Sequence, residues 1–377
     1  MYNLTMILGV DTGGTFTDFV LWDGKRLRIH KVLSTPSSPE QAILQGIGEM
    51  GVDVDGLTII HGSTVATNAV LEGNGVYTLF ITNRGFADML TIGRQARQEL
   101  YNLQPQPVVP PIPRGDCLET GGRISASGEL IEELTQEDLR RLRDEIEQRN
   151  PQAVAINMLF SFLDSGPERD IEAIVPKGVF VSRSSSVLPE YGEYERGITT
   201  WLNSYVGPLV EGYIERLKQG VKGAQVSVMQ SSGSTISAAH AGSEAVHMLL
   251  SGPAGGLAAA QYVGQQIGRP KLLTFDMGGT STDVALIDGQ IRLTSEGMVG
   301  RYPVAVPMVD MHTIGAGGGS IARVDEGGML QVGPESAGAS PGPACYGKGG
   351  LEATVTDANL LLGRLLPDAF LGGGMSL

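Results

Sequence analysis

Cysteine is scarce in this sequence, which has only Cys117 and Cys345 among its 377 residues. Two thiols cannot form a multi-cysteine metal cluster, and so few in a long chain are typical of a reducing compartment. We therefore expect a cytoplasmic protein. Cys345 lies among prolines and glycines in SPGPACYG with no obvious base beside it, which disfavours a nucleophilic role.

An excess of basic residues and a long hydrophobic run are also missing. Lysine and arginine total 27 against 41 acidic residues, and the net charge of −14 disfavours nucleic acid or an anionic membrane as the partner. The best apolar run, AVAINMLFSFL, is too short to cross a bilayer. The apolar start MYNLTMILGV lacks the basic region of a secretory signal, so we expect a soluble protein.

No lysine-bearing phosphate loop of the form G-x-x-x-x-G-K-[ST] occurs, although glycine is abundant, at 53 residues. HTIGAGGGSIA, residues 312–322, resembles a dinucleotide fingerprint. However, Ser320 replaces the third glycine and Asp325 lies too close to be the ribose-binding acid, which disfavours a Rossmann site. Gly317 and Gly318 are still candidates for wrapping an anion or a substrate. The alternative is a tight turn between packed elements.

One pattern of acids, glycines and threonines occurs twice. VDTGGTFTDFVLWDG at residues 10–24 aligns without a gap with FDMGGTSTDVALIDG at residues 275–289. Eight acidic, glycine and threonine positions are identical: Asp11, Gly13, Gly14, Thr15, Thr17, Asp18, Asp23 and Gly24 recur as Asp276, Gly278, Gly279, Thr280, Thr282, Asp283, Asp288 and Gly289. We infer an internal duplication.

Each copy is typical of a strand, a turn rich in glycine and threonine, and a second strand that ends at an Asp-Gly hairpin turn. Glycines let backbone N–H groups approach an oxyanion closely, and threonine hydroxyls add donors to its oxygens. A carboxylate in such a turn would repel phosphate unless a cation lies between them. Mg²⁺ fits, because it binds carboxylates and phosphate oxygens together.

The two copies therefore predict a clamp on Mg²⁺ and a polyphosphate. The candidate metal ligands and catalytic acids are Asp11 and Asp276. The candidate phosphate-binding residues are Thr12, Gly13, Gly14, Thr15, Thr17, Met277, Gly278, Gly279, Thr280 and Ser281. The alternative is a pair of ordinary β-hairpins whose acids carry no chemistry.

Polar side chains also cluster in HGSTVATNAV and VDMHTIG. In the first segment, a predicted strand end carries the candidate substrate contacts His61, Ser63, Thr64 and Asn68. Helix capping by Ser63 or Thr64 accounts for part of this pattern. In the second, Asp310 and His312 are two residues apart and hence on one face of a predicted strand. They suit a substrate contact, a shared metal ion or a structural hydrogen-bonded pair.

Strands and helices alternate along the chain, which indicates an α/β fold. The N-terminal strands are predicted at residues 6–10, 17–22 and 26–33. The proline-rich residues 101–122 predict a surface excursion. Residues 190–219 have helical spacing of apolar side chains, in which Pro208 predicts a kink or a break.

Several long motifs resemble, in order and spacing, the hydantoinase/oxoprolinase A-type family, within the superfamily of sugar kinases, heat-shock chaperone ATPases and actin. The resemblance runs from end to end of the chain and is carried by GVDTGGTFTD, HGSTVATNAV, ITNRGFADMLTIGR, LPEYGEYERGITTWLNSYV, SGPAGG, FDMGGTSTDVALI, HTIGAGGGSIA, VGPESAGASPGPACYG and TVTDANLLLGR.

This resemblance implies a duplicated ribonuclease-H-like α/β fold. The first lobe would span residues 1–200, with an inserted α/β segment around 101–185. The second lobe, residues 201–377, is expected to be C-terminally incomplete, because family members usually continue well beyond this point.

The resemblance also implies an ATP-dependent enzyme that opens a cyclic amide such as a hydantoin, 5-oxoproline or a related lactam. ATP and Mg²⁺ are the implied cofactors. The A-type chain is implied to phosphorylate the amide oxygen, after which a B-type subunit completes hydrolysis, so an oligomeric assembly is expected. Some relatives instead activate a ketone for carboxylation.

Functions of other classes stay open at the level of sequence. One is a non-enzymatic nucleotide switch of the actin or chaperone kind, and another is a sugar kinase. The polar, glycine-rich segments HGSTVATNAV, HTIGAGGGSIA and PGPACYG favour a small substrate over polymer contacts.

Overall fold

The computed structural model describes residues 6–13, 16–35, 38–96, 101–104, 109–279, 281–338, 341–368 and 376–377. The chain divides into two compact units: Met1–Gly255 with Leu293–Met308, and Gly256–Arg292 with Val309–Leu377. The lobe boundary at residue 200, which rests on motif similarity, stays a prediction. The candidate phosphate-binding residues outside the described part of the chain are Gly14, Thr15 and Thr280.

Strands and helices alternate, and the predicted mixed α/β class is confirmed. The strands are β1 (Ile7–Thr12), β2 (Phe16–Trp22), β3 (Leu27–Leu33), β4 (Thr58–Ser63), β5 (Thr78–Asn83), β6 (Cys117–Thr120), β7 (Arg123–Ile124), β8 (Leu130–Glu132), β9 (Ala153–Asn157), β10 (Phe180–Arg183), β11 (Gln225–Met229), β12 (Thr235–Ser237), β13 (Lys271–Met277), β14 (Thr282–Asp288), β15 (Leu293–Thr294), β16 (Gly297–Val299), β17 (Tyr302–Val304), β18 (Met308–Val309), β19 (His312–Ile314), β20 (Ser320–Val324) and β21 (Leu330–Ser336). The helices are α1 (Pro39–Met50), α2 (Val65–Glu72), α3 (Met89–Ile92), α4 (Gln136–Arg149), α5 (Gly166–Ile174), α6 (Ser184–Val187), α7 (Glu193–Gly220), α8 (Ala238–Ala241), α9 (Ser251–Gln266) and α10 (Val355–Leu361). Short 3₁₀ helices cover Arg114–Asp116, Ala245–Met248 and Ala344–Tyr346.

The larger sheet of the first unit has the strand order β12-β11-β4-β1-β2-β3. β1, β2 and β3 are antiparallel neighbours, whereas β4 pairs in parallel with β1 and β11 in parallel with β4. The three predicted N-terminal strands are confirmed, with small shifts at their ends. Alternation along the hairpin buries Leu8, Val10, Phe19 and Leu21 on the face that α1 covers.

A second sheet of the first unit has the order β10-β9-β5-β6, and its described pairs are all parallel. β5 and β9 are buried at every position, as expected for central parallel strands. The expected excursion over residues 101–122 is wrong at its C-terminal end. There Cys117–Thr120 leaves the proline-rich stretch and pairs with β5 as an edge strand of this sheet.

Helix α7 runs uninterrupted from Glu193 to Gly220, so Pro208 does not break it. A proline inside a helix costs about 3 kcal/mol, because it removes one backbone hydrogen bond and crowds the preceding turn. The helix packs against β9 and β10 and buries fifteen of its residues, which offsets that cost.

The main sheet of the second unit has the order β13-β14-β19. Helix α9 packs on one side of it: Gln261 Nε2 donates to the Gly289 carbonyl (3.2 Å), and Gly264 lies against Leu272. The SGPAGG motif forms the first turns of α9. Within the described residues, the helices include none that is long and apolar enough to cross a membrane.

Candidate functional site

The two repeated segments fold into hairpins with the same register. Asp11 lies opposite Asp18 across β1 and β2, and Asp276 lies opposite Asp283 across β13 and β14. The third strand is placed alike in both units, since β3 pairs with β2 beside Asp18 and β19 pairs with β14 beside Asp283. The duplication seen in the sequence therefore extends to strand pairing.

The same backbone hydrogen bond closes both turns. Gly13 N–H donates to the Phe16 carbonyl at 3.0 Å, and Gly278 N–H donates to the Ser281 carbonyl at 2.8 Å. Donor and acceptor in the second turn occupy the positions that align with those of the first. Both turns therefore lie beside an acid and share one closing hydrogen bond, while the phosphate clamp itself stays a prediction.

Asp11 and Asp276 each occupy the next-to-last position of a strand, directly before a glycine turn, and both are exposed. A Cβ atom added at Gly62, which pairs with Asp11 in β4, would lie 3.1 Å from Asp11 Oδ1. The glycine therefore leaves space beside the carboxylate. Mg²⁺ binds one or two protein carboxylates and keeps several waters, so these exposed acids fit that ion.

Hydrogen bonds connect the first turn to the HGSTVATNAV segment. The Thr12 carbonyl accepts both the backbone N–H (3.3 Å) and the hydroxyl (3.2 Å) of Thr64. Asn68 Nδ2 donates to the Thr64 hydroxyl at 3.3 Å, and the Ser34 hydroxyl donates to the Gly13 carbonyl at 2.8 Å. The predicted phosphate and substrate residues thus meet through Thr12, Thr64 and Asn68.

A cleft of about 270 Å³ opens beside this network in the first unit. It is lined by Thr12, Gly13, Ser34, Thr35, Pro39, Thr64, Val65, Asn68, Ala69, Glu72, Asn74, Leu209, Tyr213 and Arg216. Thr12 is only 3% exposed, and its Oγ1 atom makes no hydrogen bond of normal geometry with any described residue. Buried hydroxyls are nearly always paired, so this oxygen is suited to a ligand or a bound water.

Helix α7 contributes residues to the cleft that the sequence did not single out. Leu209, Tyr213 and Arg216 follow one another at intervals of four and three residues, which places them on one face of the helix. Arg216 Nε donates to Glu40 Oε1 at 2.8 Å, and Glu40 is buried. Their helical spacing was the available signal, but it is equally typical of residues that only fill a core.

His61 lies within β4, before the expected strand end, and is completely buried. Its Nε2 atom is 2.5 Å from the Tyr213 hydroxyl oxygen. Burial lowers the pKa of His61 to about 4, and the Val10 backbone opposes this only in part. The imidazole is therefore neutral at pH 7 and adjoins the cleft through Tyr213, whose pKa burial raises. A direct substrate contact by His61 stays a prediction.

Ser63 takes part in backbone structure. Its hydroxyl accepts the Val65 N–H at 3.2 Å at the start of α2, whereas Thr64, the N-cap residue, makes no side-chain capping bond, so the expected capping is wrong for Thr64. Its carbonyl accepts the Ser251 hydroxyl at 3.1 Å. These bonds hold the end of β4 and the starts of α2 and α9 together, and a substrate contact by Ser63 also stays a prediction.

Replacing His61 should flatten the dependence of stability on pH. A histidine that titrates near 4 when folded and near 6.5 when unfolded favours the unfolded state as pH falls through that window. The resulting loss in the free energy of unfolding reaches roughly 3 kcal/mol by pH 4. Urea unfolding at pH 7 and pH 4.5 should show that the free energy of unfolding decreases less for His61→Gln than for the wild type as the pH falls. His240→Gln, at an exposed position, is the control; an unchanged decrease in the free energy of unfolding for His61→Gln would contradict this assignment.

The HTIGAGGGSIA loop packs backbone against backbone on the second turn. Gly318 N–H donates to the Gly278 carbonyl at 2.9 Å, and Gly317 N–H donates to the Ser320 hydroxyl at 2.8 Å. A Cβ atom at Gly317 would lie 2.7 Å from the Gly278 carbonyl oxygen. Both N–H groups already donate hydrogen bonds within the chain, so their binding of an anion stays a prediction. Their contacts with the backbone of the second turn help to set its shape.

Asp310 and His312 do not share a strand face, because β19 begins only at His312. The Asp310 N–H donates to the Arg292 carbonyl at 2.8 Å, and both side chains are at least partly exposed. In the part of the chain that the structure describes, no three His, Cys, Asp or Glu side chains are grouped to hold a metal ion. Substrate or metal binding by Asp310 and His312 stays a prediction.

Cys345 is held in a loop beside α10. Its backbone N–H donates to Asp357 Oδ1 at 2.8 Å, and Asp357 also caps the helix with Thr354. Burial, together with Asp357, raises the pKa of the Cys345 thiol to about 11. A protonated thiol is a poor nucleophile, in agreement with the expectation from sequence.

Comparison with known proteins identifies relatives along the whole chain. Residues 7–179 match the family profile described as hydantoinase/oxoprolinase N-terminal region, and residues 196–377 match the hydantoinase/oxoprolinase profile. The caprolactamase subunit alpha of Pseudomonas jessenii is 39% identical over 98% of this chain and 56% of the relative. The acetophenone carboxylase gamma subunit of Aromatoleum aromaticum is 35% identical over 98% of this chain and 55% of the relative.

Solved structures agree with these matches. The ATP-dependent caprolactamase of Pseudomonas jessenii superimposes with a TM-score of 0.80 at 36% identity, over 98% of this chain and 57% of that chain. A nucleotide-free acetone carboxylase superimposes with a TM-score of 0.81 at 28% identity, over 98% and 56%. The chain thus spans a little over half the length of these relatives. From its two family matches and these likenesses, the chain belongs to the hydantoinase/oxoprolinase family.

Proposed function

We propose that this chain is the nucleotide-using part of an ATP-dependent enzyme that opens a cyclic amide. The supporting observation is the pair of turns that share one closing hydrogen bond, each beside an acid; the first turn borders a cleft lined by polar and apolar side chains. The likeness to a caprolactamase subunit favours a lactam over other substrates of ATP-using enzymes.

Mg-ATP is the proposed cofactor, with Asp11 and Asp276 as metal ligands. The strand order β3-β2-β1-β4-β11 of the first unit supports a ribonuclease-H-like lobe, and the shared hairpin register supports a second, related lobe. When bound, Mg²⁺ would neutralise phosphate charge; positioning and charge neutralisation are the main tasks of a protein in phosphoryl transfer. The glycine turns supply the close backbone approach that phosphate oxygens need.

The cleft is the proposed lactam site. Its volume of about 270 Å³ suits a small ring. Val65 and Leu209 offer apolar surface, whereas Asn68, Thr64 and the buried Thr12 hydroxyl offer hydrogen bonds to an amide. Thr64 and Asn68, which would orient the ring, would therefore be connected to the first phosphate turn by hydrogen bonds through Thr12.

The proposed chemistry starts from the resonance of the amide, which makes a lactam carbon a poor electrophile. The amide oxygen attacks the γ-phosphorus, the bond from that phosphorus to the bridging oxygen breaks, and ADP leaves. Water then adds to the activated carbon, and the ring C–N bond breaks with protonation of nitrogen, which leaves an acyl phosphate. A second water adds to the acyl carbon, and the bond from carbon to the phosphorylated oxygen breaks. The products are an amino acid and inorganic phosphate.

We propose a B-type subunit as the partner that supplies the hydrolytic half, in an oligomeric cytoplasmic enzyme. The related proteins are themselves named as subunits, alpha in one case and gamma in the other. The second candidate function is activation of a ketone for carboxylation, which the likeness to an acetone carboxylase favours. Phosphorylation of a carbonyl oxygen would serve both reactions.

A substrate screen tests the proposal. Small lactams, hydantoins and 5-oxoproline, and separately ketones with bicarbonate, would be added with Mg-ATP to the chain together with its B-type partner, and ADP release measured. We expect a cyclic amide to raise ADP release at least tenfold above the rate without substrate. Stimulation by ketones alone would replace the lactam with the second candidate. Lack of stimulation by either class would favour a nucleotide switch.

A further inference from the structure

Two charged side chains, Glu72 and Arg216, line the cleft in the first unit. Both residues are exposed. The other described residues of the lining carry no charged side chain. The charge that the cleft presents to a substrate therefore depends on how these two side chains are paired.

Arg216 is paired with a buried carboxylate. Its Nε atom donates to Glu40 Oε1 at 2.8 Å, and the Glu40 side chain is only 7% exposed. Buried charges are screened much less by salt than exposed charges, so Glu40 balances the guanidinium charge at close range. Arg216 can therefore donate further hydrogen bonds in the cleft, for example to a carbonyl oxygen, but supplies little net positive charge there.

Glu72 is held by a neutral side chain instead. Asn74 Nδ2 donates to Glu72 Oε2 at 3.0 Å. Asn74 is itself fixed, because Gly73 adopts a positive φ of 71° and the Asn74 N–H then donates back to the Ala69 carbonyl at 2.9 Å. The amide of Asn74 orients the Glu72 carboxylate without neutralising it.

The position of Glu72 in its helix adds to the negative charge. Glu72 is the last residue of α2, and the C-terminal end of a helix carries partial negative charge on its carbonyl groups. An acid is unfavourable at that end, so helix stability does not explain Glu72. A substrate carboxylate in the cleft would meet Glu72 and this helix end, while the nearest lining cation, Arg216, is already balanced by Glu40.

We propose that Glu72 is a specificity-determining residue that restricts the cleft to cyclic amides without a carboxylate group. This inference rests on the proposed function and narrows its substrate class. The ring of 5-oxoproline carries a carboxylate on the carbon beside its nitrogen, so that anion would enter the cleft with the amide. Repulsion between like charges at short range near a protein surface is large enough to slow turnover at least about tenfold. The competing assignment is that Arg216 anchors a substrate carboxylate.

A matched pair of substrates tests this assignment. 5-Oxoproline and its carboxamide have nearly the same shape and differ in charge. For each compound, kcat/KM would be measured from ADP release with Mg-ATP, the chain and its proposed B-type partner. We expect kcat/KM to be at least tenfold higher for the carboxamide. The ratio between two substrates on one preparation does not depend on the fraction of active protein.

Glu72→Gln removes the charge and keeps an oxygen that can accept from Asn74. We expect this variant to reduce the preference for the carboxamide at least threefold without lowering the melting temperature. Glu215→Gln is the matched control, because it makes the same change in net charge at an exposed position of α7 outside the lining of the cleft. It should leave the preference at the wild-type value.

Equal or faster turnover of 5-oxoproline would overturn the inference in favour of Arg216 as the anchor and would leave the cyclic-amide function standing. An equal preference in the wild type and in Glu72→Gln would also overturn it, because another group would then reject the carboxylate. If neither compound is turned over, their inhibition constants against a lactam that is turned over give the same comparison. Lack of turnover of every cyclic amide would overturn the proposed function, and this inference with it.

Discussion

Asp11→Asn should lower lactam-dependent ATP turnover at limiting Mg²⁺ by at least about 100-fold, the scale seen when a single charge-stabilising group is removed from an active site. The carboxylate supplies negative charge at the metal, and an amide of nearly the same shape does not. Because Asp11 is exposed, the free energy of unfolding should change by less than about 0.5 kcal/mol. Asp276→Asn should have the same effect, since Asp276 occupies the same position in the second hairpin.

Asp23→Asn is the matched control, because Asp23 is also repeated but lies at the far end of the hairpin. Its carboxylate accepts the backbone N–H groups of Lys25 and Arg26, both at 2.8 Å, which is a purely structural task. ADP release across a Mg²⁺ titration should be near wild type for this variant. If Asp11→Asn retained wild-type turnover at limiting Mg²⁺, the acid would be structural and the metal assignment would be wrong.

Gly317→Ala should displace the second phosphate turn, because Gly317 lies in the neighbouring loop and packs against the backbone of that turn. The added methyl group would lie 2.7 Å from the Gly278 carbonyl oxygen and 2.7 Å from the Ser281 nitrogen. Both are backbone atoms of the turn, so relief requires the turn itself to move. We expect a loss of about 1 to 3 kcal/mol in the free energy of unfolding and at least a tenfold loss of ATP turnover.

Gly315→Ala provides the comparison within the same loop, since a Cβ atom there would meet no atom within 4 Å. Its turnover and its urea midpoint should both match the wild type. Should Gly317→Ala also behave like the wild type in ATP turnover, the second turn would not contribute to nucleotide use in its present shape. A loss of the same size in both variants would point to the loop as a whole rather than to the contact with the turn.

The hairpins were predictable because their information is local. Alternation of apolar side chains sets the two strands, and the Asp-Gly turns require a positive φ, which Gly24 (89°) and Gly289 (78°) adopt. The gapless alignment of the two copies then predicted that the second hairpin would repeat the first, and the register of Asp276 with Asp283 confirms it.

Features that depend on distant packing were not predictable. His61 was expected at a strand end, but it lies inside β4 and is completely buried. It contacts Tyr213, which is far away in the sequence, so its burial could not be read from the local pattern. The role of Arg216 beside the cleft likewise depends on where α7 packs. Pro208 was expected to kink or break that helix; it does not break it, because burial outweighs the local cost.

The fate of the substrate's carbonyl oxygen tests the central claim most directly. A lactam labelled with heavy oxygen at its carbonyl would be turned over with Mg-ATP by the chain and its proposed B-type partner, and the inorganic phosphate would be analysed by mass spectrometry. Phosphorylation of the amide oxygen predicts that the label ends in phosphate, because the bond from carbon to that oxygen breaks after water adds. Unlabelled phosphate, with the label kept in the product carboxylate, would contradict the account and would mean that ATP serves another purpose.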